Sequence, residues 1–90
     1  MKFIKLDFSR IETLNGLHEY LKQQMNLPDH YGNNLDALYD CLTGEIELPV
    51  KITFENLSVL EKKIGEKAHA VFTVFQDAAN DTGKIEIFKI

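Results

Sequence analysis

Three short segments with period-two alternation, one at each end of the chain and one near its middle, restrict the fold most. Lys2-Phe3-Ile4-Lys5-Leu6-Asp7-Phe8 alternates charged and apolar groups, and Lys84-Ile85-Glu86-Ile87-Phe88-Lys89-Ile90 does so again. Such alternation marks a strand. Val50-Lys51-Ile52-Thr53-Phe54 is rich in β-formers, and Pro49 stands at its start, where a missing N–H is tolerated. The sequence between these segments has helical spacing instead. Leu14, Leu17, His18, Leu21 and Met25 share one helical face, Thr13 or Asn15 can cap it, and Leu27-Pro28 ends it. A second helix is expected from the cap Asn34 to Gly44. Leu57, Leu60 and Ile64 mark a third, closed by Gly65. Ala68, Val71, Phe72, Phe75, Ala78 and Ala79 mark a fourth from about Glu66 to Asn80, with Gly83 ending the turn.

The order is β-α-α-β-α-α-β. Strands separated by helices imply a three-stranded parallel sheet with helical crossovers, so the class is α/β. Ninety residues are expected to form one domain, 1–90. Three strands and four helices leave little room for a deep pocket. That weighs against a small-molecule enzyme. The apolar stripes, Phe72 and Phe75 included, read as core. His18, on such a stripe, reads as a packed histidine with one hydrogen bond.

The second helix carries the unusual chemistry. Asn34 can accept a backbone N–H of the first turn, and Gly44 is expected to supply a left-handed terminal residue. Leu35, Leu38 and Leu42 fall at i, i+3 and i+7 and are expected to face the core. Asp36, Tyr39, Asp40 and Thr43 fall on the other side. Two carboxylates four residues apart repel, at a cost of roughly 0.2–0.5 kcal/mol. The helix N-terminus relieves Asp36. Asp40 lies beyond the first turn and has no cation four residues away. The segment from Gln23 to Val50 holds five acids, Asp29, Asp36, Asp40, Glu45 and Glu47, and no Lys or Arg. The rest of the chain has nine acids and ten bases, so the net charge of -4 is concentrated here. Concentrated charge of one sign costs self-repulsion and favours an oppositely charged partner.

Other classes find less support. A negative chain is a poor ligand for nucleic acid or an anionic membrane. The N-terminus lacks the apolar core of a signal peptide, and no segment is long enough to span a bilayer. The single cysteine, Cys41, excludes an internal disulfide and fits a reducing cytosol. A cytoplasmic protein is therefore expected. Cys41 lies beside the leucines and reads as a small buried hydrophobe. There is no glycine-rich phosphate loop and no Cys or His cluster, so no cofactor is expected. His30, Asp36 and Asp40 would be the members of any metal or acid–base site. Two carboxylates are too few for a hard cation, and nothing nearby desolvates either one. No long apolar patch demands an oligomer, so a monomer binding its partner one to one is expected.

Two carboxylates about one helical turn apart, flanked by Tyr31 and Tyr39, instead imitate a phosphate backbone. They suit a cleft lined by Lys, Arg and His, as in enzymes that cleave RNA. The string Tyr31-Gly32-Asn33-Asn34-Leu35-Asp36-Ala37-Leu38-Tyr39-Asp40-Cys41-Leu42-Thr43-Gly44 resembles the signature of the barstar family, intracellular inhibitors of the secreted bacterial ribonuclease barnase. The similarity spans nearly the whole chain and is strongest from Leu27 to Gly44. It implies a ribonuclease inhibitor, not an enzyme. Asp40 would enter the nuclease's phosphate site, and Asp36 would pair with cations at its edge. Tyr31, Gly32, Asn34, Leu35, Ala37, Thr43 and Gly44 would pack around them. Asp77 stands where the family carries a second acidic contact. His30, Tyr39 and Glu45 complete the implied rim. They replace, respectively, a tyrosine, a tryptophan and another aromatic of the best-known member. The family's second cysteine, near Gly83, is absent. The resemblance also implies a cis Leu48–Pro49 bond. The alternative function is a non-inhibitory binding module that turns the same acidic face to another basic protein.

Overall fold

A computed structural model describes all 90 residues, Met1–Ile90. Its elements are β1 (Lys2–Asp7), α1 (Leu14–Gln24), α2 (Leu35–Gly44), β2 (Val50–Glu55), α3 (Leu57–Ile64), α4 (Glu66–Thr82) and β3 (Ile85–Lys89). The strands form one sheet in the order β1-β2-β3, with both pairings parallel. Ile4 is in register with Ile52, and Ile52 with Ile87. This is the expected β-α-α-β-α-α-β order.

Both crossovers advance the sheet in the same direction. Right-handed connections therefore put all four helices on one face. Parallel sheets are usually covered on both faces and read as continuous apolar runs. Here the alternation in the sequence has the opposite consequence. Ile4, Leu6, Phe8, Val50, Ile52, Phe54 and Ile85 are buried under the helices, while Phe3 and Phe88 on the other face are 71% and 44% exposed. Phe54 lies at the centre, its ring against Phe8, Phe72 and Phe75. Leu17, Leu21, Leu38, Leu42 and Leu60 close the core from the helix side. Helix α2 packs on α4, and α4 packs on β3.

The caps show how the local sequence sets the boundaries. Thr13 Oγ1 accepts from Gly16 N–H at 2.9 Å and starts α1. Gly65 and Gly83 take φ of 64° and end α3 and α4. Only glycine adopts such angles freely. The fourth helix runs two residues past the expected Asn80, up to that glycine. Leu48–Pro49 is cis.

Two expectations for α2 need correction. Leu35 is 38% exposed, so only Leu38 and Leu42 of the three leucines face the core. Leu35 is the first residue after the cap, where the chain is still arriving from outside the core. Gly44 is helical and not left-handed. The helix closes one residue later, where Glu45 and Ile46 N–H both donate to the Cys41 carbonyl at 3.0 Å. Ile46 then packs against the core and turns the chain inward without a left-handed residue.

Candidate protein-binding face

The loop that leads into α2 is fixed before the helix begins. Asn33 has φ 51°, a left-handed conformation that asparagine tolerates better than most residues. Its Nδ2 donates to Asn15 Oδ1 at 3.1 Å and to Glu19 Oε2 at 2.8 Å, tying the loop to α1. Asn34 works in two directions. Its Oδ1 accepts from Ala37 N–H at 2.8 Å, and its Nδ2 donates to the Gly32 carbonyl at 3.1 Å. The same side chain thus caps α2 and holds Gly32 against it. Behind the loop, His18 Nδ1 and the Tyr31 hydroxyl lie 2.6 Å apart. His18 is 2% exposed and Tyr31 7%. Burial pulls His18 below the ordinary imidazole value and pushes the Tyr31 phenol up. Both groups are held neutral, and one hydrogen bond joins them.

On this support the exposed side of α2 presents its acids. Asp36 and Asp40 are both exposed, and neither side chain makes a hydrogen bond or ion pair within the protein. The two ion pairs of the fold, Lys5–Glu55 and Lys63–Glu12, lie elsewhere. Leu38, Cys41 and Leu42 anchor the helix from beneath. Burial, with Glu45 and Asp40 nearby, pushes the Cys41 thiol up, which keeps it protonated and unreactive. Thr43 Oγ1 donates back to the Tyr39 carbonyl at 2.9 Å.

The tertiary structure collects His30, Tyr31, Ala37, Asp40, Cys41 and Glu45 around one hollow of about 180 Å³. His30, Gly32, Gly44 and Glu45 are exposed at its rim or beside it, Ala37 and Thr43 are half-buried, and Tyr31 forms its back. Asn34 and Leu35 instead border a second hollow of about 230 Å³, shared with Lys67 and Ala70 of α4. No group of three or more His, Cys, Asp or Glu is placed to hold a metal ion. A larger open cleft of about 540 Å³ lies at the β1–α1 turn. Asp7 in its lining is already bonded within the protein: its Oδ1 accepts from Ser9 N–H and from Asn56 Nδ2, and the Tyr20 hydroxyl accepts from Asp7 N–H. The unpaired acids are on α2, not there.

Helix α4 extends the face. Asp77 is exposed beside Tyr39, and so is Asp81, which the sequence reading did not single out. The Tyr39 hydroxyl donates to the Asp81 carboxylate. That bond first, then the charges of Asp81, Asp77 and Asp40, push the Tyr39 phenol up. Three carboxylates on two helices, Asp81, Asp77 and Asp40, thus lie around one tyrosine. A helical count forward from Asp77 was the available signal for Asp81, since i and i+4 share a face.

The family model described as Barstar (barnase inhibitor) matches residues 1–88. The chain belongs to the barstar family. A Bacillus subtilis (strain 168) protein named "Putative ribonuclease inhibitor YrdF" is 38% identical over 81 residues, which cover 90% of this chain and 89% of the relative. Membership of a family described as barnase inhibitors supports a ribonuclease-inhibitor role, with a ribonuclease as the partner. No helix of the chain is long and apolar enough to cross a membrane.

Proposed function

We propose that the chain inhibits a basic, secreted ribonuclease of the barnase type by seating the α2 face in its RNA-binding cleft. The observation that carries this reading is the pair Asp36 and Asp40, both exposed and both without a cation of their own. A carboxylate left unpaired in the free protein is ready to accept charge-assisted bonds from Lys, or bidentate ones from Arg. Nothing must be broken first. Asp40, at the hollow with His30, Tyr31 and Glu45, takes the phosphate position; Asp36, a turn earlier, meets cations at the edge. Gly32, Asn34, Leu35, Ala37, Thr43 and Gly44 make the surrounding contact, Tyr39 gives aromatic area of the hot-spot kind, and Asp77 adds charge from α4. The ninety residues act as one unit, bind one to one and work in the cytoplasm, where a cell needs protection from its own nuclease.

An inhibition titration against a panel of basic secreted ribonucleases, barnase included, tests this. Asp40→Ala is expected to weaken inhibition at least about 100-fold. Glu61→Ala, which removes an exposed acid of α3, is expected to change it little. Association is expected to slow as salt is added. Equal effects of the two substitutions, or an on-rate indifferent to salt, would sink the plug.

A further inference from the structure

Asp81 differs from every other acid of the face. Asp36, Asp40, Glu45 and Asp77 make no side-chain hydrogen bond, whereas Asp81 accepts one from the Tyr39 hydroxyl. This is the only side-chain hydrogen bond that joins α2 to α4; the rest of that contact is packing. Its position on α4 points the same way. Asp81 is the penultimate residue of α4, and no basic side chain lies in that last turn. The C-terminal end of a helix carries partial negative charge and disfavours a carboxylate. Asp77, one helical turn earlier on α4, repels it further. An acid is poorly placed here unless a donor is brought to it, and the Tyr39 phenol is that donor.

The consequence falls on Tyr39. Its ring is half-buried and packed against the core, which restricts the inner end of the side chain. The bond to Asp81 restrains the outer end. A side chain held at both ends loses little rotamer freedom when a partner covers it, so less of the contact is spent on ordering.

We propose that Asp81 is a positioning residue of the binding face: it accepts the Tyr39 hydroxyl hydrogen and holds the ring in one orientation between Asp40 and Asp77, ready for the partner. The partner's nature rests on the ribonuclease reading above; the positioning itself does not.

The test compares Asp81→Asn, Asp81→Ala, Tyr39→Phe and the double variant Tyr39→Phe/Asp81→Ala. The probe is the ribonuclease of the panel that the unsubstituted chain inhibits. An Asn carbonyl still accepts the phenol's hydrogen but carries no charge. Asp81→Asn is therefore expected to inhibit like the unsubstituted chain. Asp81→Ala and Tyr39→Phe are each expected to lose about five- to tenfold, and the double variant no more than either single one. A loss in Asp81→Asn equal to that in Asp81→Ala would show that Asp81 meets the partner with its own charge, and overturns the proposal. Additive losses, or no loss in any variant, overturn it as well. A second arm needs no partner. Tyrosinate absorbance is followed against pH in the free chain, with Tyr39→Phe identifying the Tyr39 signal. Asp81→Ala is expected to let Tyr39 ionise at lower pH and to free its ring in NMR relaxation; an unchanged phenol and ring overturn the proposal. A chain that inhibits no ribonuclease of the panel removes the ribonuclease reading alone, because the second arm still decides the positioning.

Discussion

Removing one oxygen from behind the face isolates the buried pair His18–Tyr31. Tyr31→Phe keeps the ring and its packing but deletes the hydroxyl that lies 2.6 Å from His18 Nδ1. His18 is 2% exposed, so no water replaces the hydroxyl. A buried donor or acceptor left without a partner costs about 1–3 kcal/mol. In a chain of 90 residues that lowers Tm by about 4 to 24 °C. The pair also ties stability to pH. Burial holds His18 in the fold below the ordinary value of 6.5. The folded state therefore binds fewer protons than the unfolded chain once the pH falls below that value. Stability is full above it and is lost on acidification, by up to about 1.4 kcal/mol per pH unit. Urea unfolding followed by circular dichroism between about pH 7 and pH 5 reads this slope. His18→Gln is expected to be less stable at neutral pH yet to lose most of the slope. His18→Gln with the slope intact would refute the assignment of the proton to this site, and a Tyr31→Phe chain as stable as the original would refute the hydrogen bond's role.

Three further outcomes test the support of the face. Asn34→Ala removes the acceptor of Ala37 N–H and the donor to Gly32; a loss of about 1 kcal/mol in denaturant unfolding is expected. Leu42→Ala empties a fully buried position beneath Asp40 and is expected to cost about 2–5 kcal/mol by the same measure. Gly83→Ala places a methyl group in open space but at φ 64°, so the cost is conformational alone; about 1 kcal/mol is expected, with inhibition unchanged.

Much of this was legible from residue order. The alternation in Lys2–Phe8 and Lys84–Ile90 marked the outer strands, because a side-chain period of two leaves one face apolar and one wet. The acidic helix and its cap were legible too, since Asn34 and the run of acids without a base are local features. Leu35 and Gly44 were not. Their spacing fits a buried stripe and a glycine stop, but the angle at which the chain enters α2, and the inward turn of Ile46 after it, set their environments. Asn33 gave no periodic signal either, because its left-handed turn is stabilised by Asn15 and Glu19, which lie 14 to 18 positions away.

The sequence by itself determined the element order, the one-sided burial of the sheet and the concentration of charge between Gln23 and Val50. Each depends on contacts between near neighbours or on composition, and these are properties of a one-dimensional string. The tertiary structure alone decided that Tyr31 backs the face while Asp40 fronts it, and that Asp81 meets Tyr39 from 42 positions away. Such pairings exist only once α2 lies against α4, and that packing is chosen by the core beneath both helices.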